Sequence, residues 1–303
     1  MYIENQNTEK VKFKVSVFPG YVQIRSPFKW KRSPGKRGKV KGYSRDSHRR
    51  LKKTLFSVSE YPTHFISLTY PGEFPKDPRK WKRDLDVFGK ALLREFPGTC
   101  DIWKLEPQKR GAPHFHLLVW LRNNKKSYWE LCKWVSETWY RVVGSGDKKH
   151  LDAGTNVIDI EYQCRKNKKS KRKILMLYVS KYFSKEFLKN DLPLCWQYPG
   201  RFWGVHGREN FPRSSLLYNA DFKVDEFIQL RRFVKRWLRS IGRKSKLKKK
   251  VKSMNRFIKF LSNALSFTVF IPAEPLIRFL LSLRSSGFCL SFPDFDEDLL
   301  FCF

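Results

Sequence analysis

The feature that most constrains the fold is an alternation of strand-type and helix-type segments between residues 63 and 190. Short runs rich in β-branched and aromatic residues predict strands, and longer runs with apolar residues every three or four positions predict helices. In chain order these are HFISLTYP, DPRKWKRDLDVFGKALLREF, CDIWKLE, HFHLLVWL, SYWELCKWVSETWYRVVG, TNVIDIEY and KILMLYVSKYFSKEFLK. The order βαββαβα predicts an α+β fold, in which an antiparallel sheet has helices packed against one face.

The flanking segments are basic and less regular. Residues 11–26 predict one or two strands, and residues 43–59 predict a basic helix capped by Ser44 or Ser47. Further along, YPGRFWGVHGRENFP predicts an ordered aromatic-rich loop, and residues 223–256 predict a basic helical stretch. We expect four parts: a basic N-terminal extension (1–62), a core (63–190), an aromatic loop with a basic helical region (191–256), and an apolar tail of unknown role (257–303).

The charge balance indicates a polyanionic partner. The chain of 303 residues has 63 Lys and Arg against 28 Asp and Glu, a net charge of +35. Such an excess destabilises a compact protein by self-repulsion unless a polyanion is bound. The basic residues form blocks with aromatic residues between them, which favours a nucleic-acid groove over an anionic membrane.

The apolar segments and the cysteines indicate the compartment. The apolar tail is interrupted by Lys259, Glu274 and Arg278, so it does not reach the ~20 apolar residues of a membrane span. The six cysteines form no CxxC pair, and the N-terminal sequence does not resemble a signal peptide. We therefore expect reduced thiols in a cytoplasm and no membrane partner.

Two histidines in the predicted hairpin form the first candidate site. His114 and His116 occupy positions i and i+2 of a strand, so both point to one side, roughly 6.6 Å apart, and could converge on one ion. Pairing Glu106 with His114 puts Lys104 opposite His116, and Glu106 then offers the carboxylate that Mg²⁺ or Mn²⁺ prefers. Two half-exposed histidines bound to water or backbone would fit the pattern equally well. The same pairing turns an apolar set toward the helices: Trp103, Leu105, Phe115, Leu117 and Val119.

A second candidate site lies on the last predicted helix, in the sequence YVSKYFSK. At about 100° per residue, Tyr178, Lys181, Tyr182 and Lys185 fall within an arc of about 80°, away from the apolar stripe. A tyrosine with a pKa near 10 is a poor nucleophile at neutral pH. It becomes effective where a metal ion polarises a phosphate and a cation such as Lys181 stabilises the phenolate or the leaving oxygen. Metal, cation and tyrosine together indicate transfer of a phosphodiester to a protein side chain.

Three motifs, in order, resemble those of a known family. FISLTYP, EPQKRGAPHFHLLVW and YVSKYFSK are similar to the motifs of HUH endonucleases that initiate rolling-circle replication. The paired tyrosines are most similar to those of initiators from small single-stranded DNA phages (microviruses) and related plasmids. The resemblance covers residues 43–212 approximately. It implies a ferredoxin-like HUH core in which His114, His116 and Glu106 bind Mg²⁺ or Mn²⁺.

The resemblance also implies a reaction. Tyr178 would attack one DNA strand at the origin, leaving a 5′-phosphotyrosyl link and a free 3′-OH primer, and Tyr182 would attack in the next round. Which of the two acts first cannot be read from the sequence. Lys109 and Arg110, in the turn beside the proposed metal, and Lys185 on the tyrosine stripe are candidates for DNA contacts.

The sequence also bears on partners and on rival functions. It contains no GxxxxGK[ST] motif, so we expect a host helicase and polymerase to assist in a bacterial cytoplasm. A transposase or a plasmid relaxase would share the chemistry, although relaxases usually offer a third histidine. A non-enzymatic nucleic-acid-binding protein is the rival from another class, since a charge of +35 alone would suffice for it.

Overall fold

The structure is a computed structural model that describes residues 11–28, 42–168, 171, 193–244, 248–271 and 273–284. The chain divides into two compact units. The core unit comprises Lys36–Leu51 and Glu60–Pro212, and the terminal unit comprises Met1–Gly35, Lys52–Ser59 and Arg213–Phe303. The segments predicted as an N-terminal extension and as an apolar tail thus both contribute to the terminal unit.

Nine strands and eight α-helices lie in the described part of the chain. The strands are β1 (Phe13–Phe18), β2 (Tyr21–Arg25), β3 (His64–Thr69), β4 (Cys100–Pro107), β5 (Pro113–Trp120), β6 (Thr155–Asp159), β7 (Trp203–His206), β8 (Tyr218–Phe222) and β9 (Phe267–Val269). The helices are α1 (Arg45–Leu55), α2 (Pro78–Glu95), α3 (Tyr128–Val143), α4 (Lys148–Ala153), α5 (Ile160–Asn167), α6 (Val224–Lys244), α7 (Lys248–Asn263) and α8 (Ala273–Arg284).

The core unit is built on a five-stranded sheet of order β6-β3-β5-β4-β7, with every neighbouring pair antiparallel. One face of the sheet packs against α2 and α3 in a single apolar cluster. The predicted α+β class, with an antiparallel sheet and helices on one face, is confirmed. The cluster includes all five residues predicted for this face, Trp103, Leu105, Phe115, Leu117 and Val119, together with Leu85, Phe88, Val135 and Trp139 from the helices.

The helices of the core unit begin and end at residues whose chemistry favours those positions. Asp77 accepts a hydrogen bond of 2.9 Å from the backbone N–H two residues ahead and starts α2. Ser127 and Glu130 form a reciprocal capping box that starts α3, and Gly144, at φ 65°, ends it. Of the two predicted caps for α1, Ser44 is the one observed: its hydroxyl accepts from the N–H of Ser47 at 3.2 Å.

Two local predictions were wrong. YPGRFWGVHGRENFP was predicted to be a loop, but its residues Trp203–His206 form β7 at the edge of the sheet. Gly204 permits this, because a Cβ there would lie 2.7 Å from the Trp103 ring. TNVIDIEY was predicted to be one strand, but the strand ends at Asp159, whose carboxylate caps α5 by accepting from the N–H of Tyr162 at 3.0 Å.

The terminal unit has its own sheet, of order β8-β1-β2-β9, and its own apolar cluster. The predicted hairpin at residues 11–26 is present as β1 and β2, and the predicted basic helical stretch contains α6 and the first part of α7. The tail, for which the sequence offered no role, supplies β9, which pairs with β2, and α8, whose Leu276 and Leu280 are fully buried. No helix among the described residues is long and apolar enough to span a bilayer.

A buried ion pair joins β7 to β4. His206 Nδ1 lies 2.9 Å from Asp101 Oδ2, and Asp101 is fully buried. Burial alone would lower the pKa of His206, but the charge of Asp101 and the hydrogen bond to it outweigh burial and raise the pKa above its ordinary value. Because the folded-state pKa is the higher one, the stabilisation is complete below about pH 6.5 and is lost as the pH rises through the folded pKa.

We predict that Asp101→Asn lowers the free energy of unfolding by about 1–3 kcal/mol at pH 6, because it removes the charge opposite a buried imidazolium. The difference should shrink at pH 9, where the imidazole is neutral. Urea unfolding at both pH values measures it, and Asp152→Asn, at an exposed position, is the control. A difference that does not change with pH would exclude the charged pair.

Candidate functional site

The β4–β5 hairpin has the register predicted from the sequence. Glu106 pairs with His114 and Lys104 pairs with His116, so these side chains share the face opposite the helices. The turn between the strands contains Gly111 at φ 80°, a conformation that strains other L-residues. The hairpin therefore brings one carboxylate, one ammonium and two imidazoles together, which no single segment of sequence could do.

The neighbouring strand β3 orients both imidazoles. Ser67 pairs with His116 and Thr69 pairs with His114. The Ser67 hydroxyl lies 3.1 Å from His116 Nδ1, and the Thr69 hydroxyl lies 2.9 Å from His114 Nδ1. When these hydroxyls accept, each Nδ1 carries the proton and each Nε2 presents a lone pair. The two rings stand edge to face, with centroids 4.3 Å apart, and Phe65 stacks on His116 at 5.3 Å.

Glu106 lies between a lysine and a histidine. Lys104 Nζ donates to Glu106 Oε1 at 3.1 Å, and Glu106 Oε2 lies 3.6 Å from His116 Nε2. Burial alone would raise the pKa of Glu106, but the hydrogen bond to His116 and the charge of Lys104 outweigh it and hold the pKa below its ordinary value. Lys104 is fully buried, and its ammonium lies 5.1 Å from the centre of the Tyr43 ring. Glu106 is therefore an ionised carboxylate in a largely dry environment.

An open depression of about 540 Å³ lies over these residues, lined by Glu106, His114, His116 and the turn that contains Lys109 and Arg110. The Lys109 side chain is exposed at its rim. Arg110 donates to the carbonyls of residues 70, 71 and 72 at 2.5–2.7 Å and to Gln108 Oε1 at 3.0 Å. Because these bonds use four of its five N–H donors, Arg110 anchors the turn, and Lys109 is the better candidate for a phosphate contact.

The depression has the donor types of a divalent-metal site, but they are not gathered round one point. Among the residues that the structure describes, no three His, Cys, Asp or Glu side chains are arranged to hold one metal ion. The donor chemistry nevertheless fits: two imidazoles already hydrogen-bonded through Nδ1, and one ionised carboxylate. A metal-bound arrangement would need Glu106 to exchange part of its contact with Lys104 for the ion.

The predicted tyrosine site lies outside the described residues. This concerns the nucleophiles Tyr178 and Tyr182, and the cations Lys181 and Lys185. The structure thus brings together the metal-ligand candidates and the turn cations, and the placement of the tyrosine helix stays a prediction. The sequence reasoning regarded Ser67 and Thr69 only as polar positions on this face. Their role could have been found from parity, since they alternate with Ile66 and Leu68 on a strand beside the histidines.

Comparison with known proteins gives a consistent result. Residues 63–187 match a family of replication-associated proteins of the ORF2 type. The chain is 25% identical to a replication-associated protein of Pseudomonas phage Pf3 over 270 residues, which cover 85% of this chain and 91% of the relative. It is 23% identical to a putative replication protein of Xylella fastidiosa (strain 9a5c) over 271 residues, 84% of this chain and 90% of the relative.

No solved structure matches the chain significantly. The family match contains all three motifs on which the sequence resemblance depends, including the histidine hairpin and YVSKYFSK. The resemblance to replication initiators of phages and related replicons is therefore confirmed.

The buried contact between Lys104 and Glu106 yields a stability prediction. Lys104→Met should lower the free energy of unfolding by about 3 kcal/mol, because it leaves the Glu106 carboxylate without its cation. Lys104→Met combined with Glu106→Gln should recover most of the loss, because the second change removes the uncompensated charge. Urea unfolding of the wild type, both single variants and the double variant completes the cycle. Additive losses would mean that the two groups do not interact.

Proposed function

We propose that this chain, whose residues 63–187 match a family of replication-associated proteins, is a replication initiator that nicks one DNA strand at an origin through a tyrosine. The observation that supports this best is the hairpin, where two imidazoles oriented by hydroxyls face an ionised carboxylate in an open depression. A surface of this kind, on a chain with a net charge of +35, suits a phosphodiester as substrate.

The proposed reaction is a transesterification. The phenolic oxygen of Tyr178 or Tyr182 forms a bond to the phosphorus, and the bond from phosphorus to the 3′ oxygen breaks. The phenol loses a proton and the 3′ oxygen gains one, so the products are a 5′-phosphotyrosyl link and a free 3′-OH. The second tyrosine repeats the exchange in the next round, and a released 3′-OH closes the strand by the reverse step. The bond energy is conserved, so neither cutting nor joining consumes a nucleotide.

The protein groups around this reaction have distinct roles in the proposal. His114, His116 and Glu106 would hold Mg²⁺ or Mn²⁺, which when bound would polarise the scissile phosphate. Ser67 and Thr69 hold the imidazoles in one tautomer and orientation. Lys181 would stabilise the phenolate or the leaving oxygen, and Lys109 and Lys185 would contact the DNA backbone.

The partners follow from the chemistry. The substrate is single-stranded DNA at an origin, and the 3′-OH product is the primer that a polymerase extends. We propose that a host helicase and a host polymerase act with the protein in the cytoplasm of a bacterium. Sequence-independent binding to phosphates would come from the basic blocks, because each phosphate neutralised releases counterions.

The first test concerns the nucleophile. Incubation with Mn²⁺ and single-stranded DNA from the intergenic region of the encoding replicon should give a protein–DNA adduct that resists SDS. Tyr178→Phe combined with Tyr182→Phe should abolish the adduct, because no phenolic oxygen remains on the helix. Tyr162→Phe, at a half-exposed position on α5 (52% exposed), should form it normally. An adduct in the double variant would exclude the tyrosine assignment, and the absence of one in every variant and the wild type would indicate a non-enzymatic binding protein.

The second test concerns the metal. Cleavage should require added Mg²⁺ or Mn²⁺ and stop with EDTA. His116→Ala should lose cleavage while it keeps most of its affinity for single-stranded DNA, because the phosphate-binding cations remain. Ser67→Ala should lower the apparent affinity for Mn²⁺ by about 10- to 100-fold, the usual effect of removing a group that orients a ligand. Unchanged cleavage by His116→Ala would contradict the proposed role.

A further inference from the structure

A second cavity in the core unit, at the β7 edge of the sheet, has no role in the proposed reaction. Its volume is about 330 Å³, within the range of about 300–1,000 Å³ that is typical of small-ligand pockets. It is bounded by β7, by the segment before it and by the first turns of α1. The side chains that matter for its chemistry are Arg50, Arg201, Arg208, Ser47 and Trp203.

The charge of this cavity is of one sign. Three arginines line it, and no Asp or Glu is among the described residues of its wall. Arg201 and Arg208 are exposed, and neither takes part in any ion pair among the residues that the structure describes. Guanidinium groups are planar, permanently charged and suited to paired hydrogen bonds with phosphate. The cavity is therefore built for an anion of that kind.

A flat ring stands beside these cations in a fixed orientation. The indole N–H of Trp203 donates to the hydroxyl of Ser47 at 3.0 Å, which ties β7 to the start of α1. Trp203 is only partly buried, and the cavity exposes part of its surface. A fixed aromatic surface next to guanidinium groups is the combination on which a base stacks while its phosphate is held.

The sheet register connects this cavity with the histidines. Trp203 pairs with Lys104 of β4, and Lys104 pairs with His116 of β5, so all three belong to one cross-strand row on the same face. Strands lie about 4.8 Å apart, which puts the backbones of Trp203 and His116 roughly 10 Å apart. A nucleic-acid strand that lay along this row would reach the cavity within a few nucleotides of the depression over the histidines.

We infer that this cavity binds one nucleotide of single-stranded DNA, with the phosphate on Arg201 and Arg208 and the base against Trp203. Its position a few nucleotides from the scissile phosphate rests on the proposed function, whereas nucleotide binding in the cavity does not. The site would fix which phosphate enters the depression, and so contribute to the choice of cleavage position.

The test uses the full chain and two fluorescent probes of equal length: a short oligo-dT and an abasic strand with the same phosphates. Arg201→Ala combined with Arg208→Ala should weaken binding of both probes by the same factor, roughly tenfold or more. It should also make the log–log salt slope shallower by about 0.7 for each phosphate that no longer binds a cation. The matched control is Arg83→Ala combined with Arg94→Ala, two exposed positions on α2, the helix on the opposite face. It removes the same charge and should have a small effect.

Trp203→Leu separates the base from the phosphate. It should weaken binding of oligo-dT by roughly tenfold and change binding of the abasic strand little, because only the first probe carries bases that stack. Thermal unfolding checks that the variant is folded, and the arginine pair, whose side chains are exposed, tests the cavity independently of it. Binding by the cavity arginine variant equal to that of the Arg83 and Arg94 control, on both probes, would overturn the inference.

The inference and the proposed function fail separately. If the wild type forms the covalent adduct and the cavity arginine variant binds DNA like its control, the cavity assignment is wrong and the nickase stands. If no adduct forms but the arginine and tryptophan variants show the expected losses, the nucleotide site stands and the nickase proposal is wrong. If both hold, the arginine variant should also shift or blur the position of cleavage on the origin strand.

Discussion

The main-chain ladder between β4 and β5 is the constraint on which the rest of the site depends. Side chains alternate between the two faces of a strand, so a slip of one residue would send Glu106 into the apolar cluster and Leu105 to the open face. The apolar residues of the other face prevent that slip, because they must be covered by α2 and α3. The energy that positions the polar groups thus comes largely from the apolar ones behind them.

The same ladder accounts for a buried lysine. Burying an ammonium is costly unless a carboxylate and further contacts compensate for it. Lys104 meets these conditions because its register position is two residues from Glu106 and beside the Tyr43 ring. The carboxylate is shared between Lys104 and His116, so charge at the site is balanced within a few ångströms. A site arranged in this way is ready for a phosphate or a cation without a large rearrangement of its backbone.

The parts of this fold that follow local rules could be predicted from the sequence. The register of Glu106 with His114, the cap at Ser44 and the apolar face of the sheet all follow from alternation and capping chemistry. β7 could not be predicted, because four residues containing a glycine do not look like a strand, and the pairing depends on Trp103, about a hundred residues earlier. For the same reason the sequence showed Arg201 and Arg208 as two scattered cations and not as one cavity wall.

The sheet of the terminal unit has a consequence for how the chain is made. β1 and β2 are synthesised first, yet their partners are β8 and β9, and Ser16 bonds to Asn219, 203 residues later. The pairings of the core unit all lie between residues 64 and 206. On the ribosome, therefore, the catalytic sheet can be complete while the early hairpin still waits for its partners. That exposed hairpin is where a nascent chain would need a chaperone.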